Sequence, residues 1–88
     1  MAHPAGPILD ALGDPTRRQV FERLGRGPLP VNEIAAGLPI TRPAVSQHLK
    51  VLKRAGLVLG RAEGTRRIYQ ANPEALQALR DYLDRGWE

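Results

Sequence analysis

The stretch PITRPAVSQHLKVLKRAGL, residues 39–57, predicts one helix with well-marked ends. Thr41 is a suitable N-cap, because its hydroxyl can accept a first-turn N–H that has no partner within the helix. Pro43 is tolerated directly after it, since its missing N–H falls in the first turn. Gly56 is a natural stop, because glycine readily adopts the left-handed conformation just beyond a helix.

This helix has two unlike faces. At about 100° per residue, Val45, Leu49 and Leu52 form an apolar stripe that predicts the buried side. The opposite face has amide, hydroxyl and cationic groups and no carboxylate, and it comprises Pro43, Ser46, Gln47, Lys50 and Arg54, flanked by Arg42 and Lys53. Such a face suits a DNA major groove, where Gln and Ser read base edges and cations meet phosphates. The alternative is a solvated helix with an ordinary polar face.

Composition narrows the choice of function. The 88 residues make one small domain with a formal charge of +4, which favours a polyanionic partner. The absence of cysteine excludes disulfides and thiolate metal sites. No apolar run approaches the length of a membrane span, and the first seven residues lack the apolar core of a signal peptide, so a cytoplasmic location is expected.

The residues before the central helix predict two or three shorter helices. Residues 1–7 are expected to be a flexible N-terminus, followed by one or two apolar turns that end at Gly13. Asp14 and Pro15 predict the start of a second helix, which runs to about Leu24. A loop over 25–30 and a short helix over 31–37 follow, and the tight connection 38–40 then completes a helix-turn-helix.

Beyond Gly56 the sequence period changes to that of strands. Residues 57–63 and 66–71 predict a two-stranded hairpin, and Gly64 provides the permissive backbone for its turn. Arg66 and Arg67 lie near the tip of this hairpin. They either protect a sheet edge or contact phosphate or the minor groove, and the neighbouring helix favours the DNA contact.

The final helix is predicted from Asn72, Pro73 and Glu74, which supply a cap, a proline and an acid. Its apolar face either packs on the domain's own core or forms a dimer contact, and the small core favours the dimer. The predicted dimer residues are Ile8, Leu9, Leu12, Leu76, Leu79, Leu83 and, if the helix passes Gly86, Trp87.

In this order of elements the chain resembles the winged-helix repressors of the arsenic-repressor (ArsR/SmtB) family. The matching motifs are LGDPTRR at 12–18, RPAVSQHLKVL at 42–52, AGLV at 55–58 and EGTRRIY at 63–69. The resemblance implies a homodimeric DNA-binding regulator, usually a repressor, that binds a near-palindromic operator. It also implies that the central helix is the recognition helix, the hairpin is the wing, and the terminal helices build the dimer.

Metal sensing is the property for which this family is named, and the chain lacks its usual ligands. The best-known sensors carry a cysteine pair on the first helix of the helix-turn-helix, or acid and His ligands on the last helix. Here residues 31–37 read VNEIAAG, and the two histidines of the chain, His3 and His48, both precede the last helix. The chain is similar to the metal-independent branch that carries RPAVSQHL, so no metal or cofactor is predicted.

The predicted fold is therefore mainly α, a winged helix-turn-helix of about five helices and a two-stranded wing within residues 8–88. The predicted DNA contacts are Thr41, Arg42, Pro43, Ser46, Gln47, Lys50, Arg54, Arg66 and Arg67. A protein-interaction module with a basic face is the second hypothesis, and a metal-responsive repressor is the third. An enzyme is disfavoured by the absence of cysteine, of paired carboxylates and of a phosphate-binding glycine loop. Relief of repression is left open between a small-molecule effector, a protein and dilution.

Overall fold

The computed structural model describes residues 3–85 as five helices and a three-stranded antiparallel sheet. The elements in chain order are α1 (Ala5–Leu12), α2 (Pro15–Glu22), β1 (Leu29–Pro30), α3 (Val31–Ala36), α4 (Arg42–Arg54), β2 (Val58–Glu63), β3 (Arg66–Ala71) and α5 (Pro73–Asp84). The predicted winged helix-turn-helix is confirmed: α3 and α4 form the helix-turn-helix, and β2 and β3 form the wing.

Three helices begin at the caps that the sequence predicts, each with a proline in its first turn. The side chains of Asp14, Thr41 and Asn72 accept from the backbone N–H groups of Arg17, Ala44 and Glu74, at 3.0, 3.2 and 3.1 Å respectively. The hydrogen bond from the Arg17 N–H also lowers the pKa of the Asp14 carboxyl, because it stabilises the ionised form.

The first helix begins earlier than the sequence predicts. It starts at Ala5, so residues 5–7 belong to α1 and not to a flexible N-terminus. Ala5 is fully buried, and its N–H donates to Nδ1 of His3 at 3.0 Å. Burial and this local hydrogen bond outweigh the proline and glycine content that indicated flexibility. Residues 1 and 2 of the predicted flexible segment lie outside the described residues.

The sheet contains a strand, Leu29–Pro30, within the segment that the sequence predicts as a loop. β1 pairs antiparallel with β3, with Leu29 opposite Tyr69 and Pro30 opposite Ile68. The strand order is β1-β3-β2, so the wing has a third, two-residue strand at its base. Pro30 is tolerated because an edge strand needs no hydrogen bond on its outer side. The loop before α3 is thereby joined to the wing.

The core is built around the apolar stripe of α4. Val45, Leu49 and Leu52 are at most 1% exposed, which confirms the predicted buried face. They share a cluster with Val20 of α2 and Ile34 of α3, both fully buried. Helix α4 is therefore held by its apolar side against the two helices that precede it.

Two polar contacts fix the ends of the helix-turn-helix. Nη2 of Arg23, just after α2, donates to the carbonyl of Glu33 at 2.9 Å. The Arg23 guanidinium also lies against Gly37, where an added Cβ would collide with its Cζ. At the other end, Gly56 has a φ of 82° and ends α4 as predicted. Nδ2 of Asn72 donates to the Gly56 carbonyl at 2.8 Å.

Substitution of Asn72 should separate its two roles, as cap of α5 and as donor to Gly56. Asn72→Ala removes both and should lower the free energy of unfolding by about 1–3 kcal/mol. Asn72→Ser keeps a capping acceptor and loses the donor to Gly56, so its loss should be clearly smaller. Urea unfolding at one fixed protein concentration measures both, since the stability of an oligomer depends on concentration. Equal losses for the two variants would contradict the capping role.

Candidate nucleic-acid interface

The outward face of α4 is exposed along its first half. Arg42, Pro43, Ser46, Gln47 and Lys50 are all exposed, as the sequence predicts. The hydroxyl of Thr41, another predicted DNA contact, caps α4 by accepting the Ala44 N–H. Because the opposite side is buried, these side chains project in one direction from a rigid element.

Three of the predicted DNA-contacting cations, two on α4 and one on the wing, have no partner within the described part of the chain. Across residues 3–85, no hydrogen bond or ion pair holds the side chains of Arg42, Lys50 or Arg67. The two basic residues in the last turn of α4, Lys53 and Arg54, complement the negative end of its dipole. Unpaired cations on a rigid, carboxylate-free face are well suited to phosphate contacts.

The wing presents further arginines at a tight turn. Gly64 has a φ of 65°, which allows the strands to pair up to Glu63 and Arg66. Nη2 of Arg66 lies 3.9 Å from Oε1 of Glu33 on α3, and both side chains are about 60% exposed. Nη2 of Arg61 lies 3.4 Å from the carboxylate of Glu63, so the single acid of the wing is partly neutralised. The wing tip and the helix-turn-helix are thus in direct contact through Arg66.

Arg54, a predicted DNA contact, lies on the same stripe of α4, four residues after Lys50 and twelve residues after Arg42, about 18 Å from Arg42 along the helix axis. There it lines a cavity with Pro7 and Asp10 of α1. Helical periodicity predicts the face on which a residue lies, but it does not predict which other element of the fold lies beside each end of that face.

The predicted dimer residues divide into buried and exposed groups. Ile8 is 3% exposed and belongs to the core cluster, so its assignment to a surface was wrong. Leu12 and Leu79 are partly buried against the same core. The exposed members are Leu9, Leu76 and Leu83, at 39%, 37% and 56%. Trp87 lies outside the described residues.

Candidate metal ligands do not converge in the described part of the chain. Within residues 3–85, no group of three or more His, Cys, Asp and Glu side chains could hold an ion. Nδ1 of His3 is engaged by the Ala5 N–H, and His48 is half-buried on α4.

No helix within residues 3–85 is long and apolar enough to cross a lipid bilayer.

Comparisons with known proteins agree with this geometry. A family model described as a helix-turn-helix domain matches residues 12–61. The HTH-type transcriptional regulator Rv2034 of Mycobacterium tuberculosis is 62% identical over 77 residues, which cover 88% of this chain and 72% of that protein. The arsenical resistance operon repressor of Staphylococcus xylosus is 32% identical, over 88% of this chain and 74% of that protein. The chain belongs to the ArsR/SmtB family.

A solved structure extends the comparison within the ArsR/SmtB family. The solution structure of the homodimeric winged helix-turn-helix DNA-binding domain of Mb0332 from Mycobacterium bovis is 27% identical to this chain. The alignment covers 97% of this chain and 86% of that one, with a TM-score of 0.75. This ArsR/SmtB chain is therefore a transcriptional regulator with a winged helix-turn-helix DNA-binding domain.

The positions of the cations predict which of them contribute to non-specific DNA binding. Lys50→Gln and Arg67→Gln should each weaken binding to random duplex DNA. Each should also reduce the salt slope by about 0.9 for every phosphate contact that is lost. Arg54→Gln should leave the slope unchanged, because Arg54 lies beside α1. Fluorescence anisotropy across a salt series measures all three variants, and a reduced slope for Arg54→Gln would return that residue to the interface.

Proposed function

We propose that this protein is a homodimeric repressor that binds an inverted-repeat operator. The observation that carries the proposal is the exposed, carboxylate-free face of α4, whose cations are unpaired in the described chain and which stands beside an arginine-bearing wing. Two such helices, related by a two-fold axis, would enter successive major grooves about 34 Å apart. Since the partner is DNA, the proposed location is the cytoplasm.

Within each half-site, the proposed roles follow from side-chain chemistry. Gln47 and Ser46 are the base-reading candidates, because an amide can pair with adenine through two hydrogen bonds and a hydroxyl accepts or donates. Arg42 and Lys50 are proposed to hold the phosphates on either side of the groove. Arg66 and Arg67 would follow the backbone or the minor groove from the wing. Arg66 must then exchange its Glu33 contact for a phosphate.

The proposed dimer contact uses the exposed leucines of the terminal helices. Leu9 of α1 and Leu76 and Leu83 of α5 are large apolar side chains that the core does not cover. Helices α1 and α5 pack against each other, so a two-fold axis beside them would bury all three leucines in each subunit. The homodimeric state named for the Mb0332 domain supports this arrangement.

The name of one relative supports the proposal that the protein is a repressor. The Staphylococcus protein is named as an operon repressor, and it shares the whole helix-turn-helix region with this chain. A dimer covering two major grooves would exclude other proteins from the same DNA. A basic module for acidic protein partners is the second candidate, and the following experiment separates the two.

Gln47→Ala should reduce sequence preference more than overall affinity. A bidentate amide–adenine pair contributes about 1–3 kcal/mol of discrimination in each half-site, so the affinity of the homodimer for its operator should fall by roughly 30-fold or more. Binding to random DNA should change little, because Gln47 carries no charge. The operator is first selected from a random duplex pool, and both affinities are then measured at one salt concentration.

A matched variant tests whether the loss belongs to base reading. Gln77→Ala removes the same amide from α5, where Gln77 is exposed and bonded to Asp81 at 2.8 Å, so operator preference should be retained. Failure to select any duplex sequence, or equal losses of both affinities for Gln47→Ala, would favour the protein-interaction module.

Leu83→Asp should dissociate the dimer. Leu83 is 56% exposed, so an aspartate there stays hydrated in the monomer and loses that hydration when a partner covers it. Sedimentation at micromolar concentration should shift from about twice the chain mass to the chain mass, and operator binding should weaken in parallel. Leu59→Asp is the control, because Leu59 is 45% exposed on β2 and away from the terminal helices. A wild-type monomer at that concentration would contradict the proposed assembly.

A further inference from the structure

Two acidic side chains form ion pairs with arginines of the wing. Glu63 ends β2, and its Oε2 lies 3.4 Å from Nη2 of Arg61 on the same strand. Glu33 lies in the first turn of α3, and its Oε1 lies 3.9 Å from Nη2 of Arg66. The first pair joins two residues of the wing. The second pair joins the wing to the helix-turn-helix, and thus links the two elements that are proposed to bind DNA.

Glu33 is the one partner of the Arg66 guanidinium in the part of the chain that the structure describes. Glu63 is opposite Arg66 in the strand register, but its carboxylate contacts Arg61. No other ion pair or hydrogen bond holds the Arg66 side chain among the described residues, and none holds that of Arg67. In the free protein, therefore, one wing arginine is paired with an acid of α3, and the next is available to a phosphate.

The wing does not depend on the Glu33 pair for its position. Strand β1, directly before α3, pairs Leu29 with Tyr69 and Pro30 with Ile68. Ile68 is 7% exposed, and Tyr69 packs against the core. Both members of the ion pair, in contrast, are about 60% exposed, and exposed pairs stabilise a fold little. The main consequence of the pair thus concerns what Arg66 can bind.

A phosphate and the Glu33 carboxylate compete for the same guanidinium. Both are anions that accept charge-assisted hydrogen bonds from arginine. A phosphate that reached Arg66 in its present position would also lie close to the Glu33 carboxylate, and these like charges repel. Arg66 must therefore leave Glu33 to hold a phosphate, and the free energy of the ion pair is subtracted from the free energy of DNA binding.

We propose that Glu33 limits the affinity of the wing for DNA by holding Arg66 in the free protein. This inference rests on the proposed DNA-binding role of the wing. Glu33 is a positioning residue, since it acts through Arg66 and does not itself contact DNA. Because phosphates are present in every sequence, the limit applies equally to operator and to random DNA, in contrast to base reading by Gln47.

Glu33→Gln should strengthen DNA binding, because it removes the charge and keeps the length of the side chain. An exposed ion pair is worth about two- to fivefold in an equilibrium constant, so affinity should rise by about this factor for each subunit bound. Fluorescence anisotropy at one salt concentration measures the gain on the selected operator and on a random duplex. Glu74→Gln is the matched control, because it removes an exposed first-turn acid from α5 that has no ion-pair partner within residues 3–85. It should leave both affinities nearly unchanged.

The same substitution in an Arg66→Gln background separates the release of Arg66 from general charge. There Glu33→Gln should give a clearly smaller gain, because only the long-range repulsion between Glu33 and DNA remains. All three positions are exposed, so the variants should keep the wild-type melting temperature. Equal gains in both backgrounds would assign the effect to general charge and overturn the proposal. An unchanged or lower affinity of Glu33→Gln would overturn it as well.

Failure of the proposed function gives a different result. If no operator can be selected, the random duplex still measures the gain from Glu33→Gln and its dependence on Arg66. Absence of any DNA binding by the wild-type protein would overturn the proposed function, and this inference with it. Wild-type binding without a gain for Glu33→Gln would overturn this inference alone.

Discussion

Burial of the α4 stripe is the constraint on which the rest of the structure depends. Val45, Leu49 and Leu52 can be removed from water only if α2 and α3 cover them, and full burial of a side chain of this kind is worth about 1.5–3 kcal/mol. Once that side is fixed, helical geometry leaves Ser46, Gln47 and Lys50 no direction except outward. The orientation of these three side chains, which are proposed to contact DNA, is therefore a consequence of core packing.

The polar contacts around this core connect the helix-turn-helix to the wing. Arg23 joins α2 to α3, β1 joins the start of α3 to β3, and Arg66 reaches back from the wing tip to Glu33. Each contact alone is modest, since exposed ion pairs contribute about 0–1 kcal/mol. Together they connect the helix-turn-helix to the wing through residues that lie far apart in the sequence.

Helix ends that depend on neighbouring residues could be predicted from the sequence, and contacts between distant residues could not. Thr41, Asn72 and Gly56 act on neighbouring backbone groups, so their residue types alone indicated where α4 and α5 begin and where α4 ends. The strand at Leu29 and Pro30 depends on pairing with Ile68 and Tyr69, almost forty residues later, and proline argued against it. Ile8 shows a further limit, because an apolar period does not distinguish a protomer's own core from a partner's surface.

The two free edges of the sheet have a consequence for the behaviour of the protein at high concentration. An open edge invites strand pairing between molecules, which leads to aggregation. Here one edge is only two residues long and ends in Pro30, which has no N–H to offer, and the other carries Gly60, Arg61 and Glu63. Both edges are therefore poor templates for another chain. The chain can then reach a high local concentration, as where many copies gather on one stretch of DNA, without its sheet promoting aggregation.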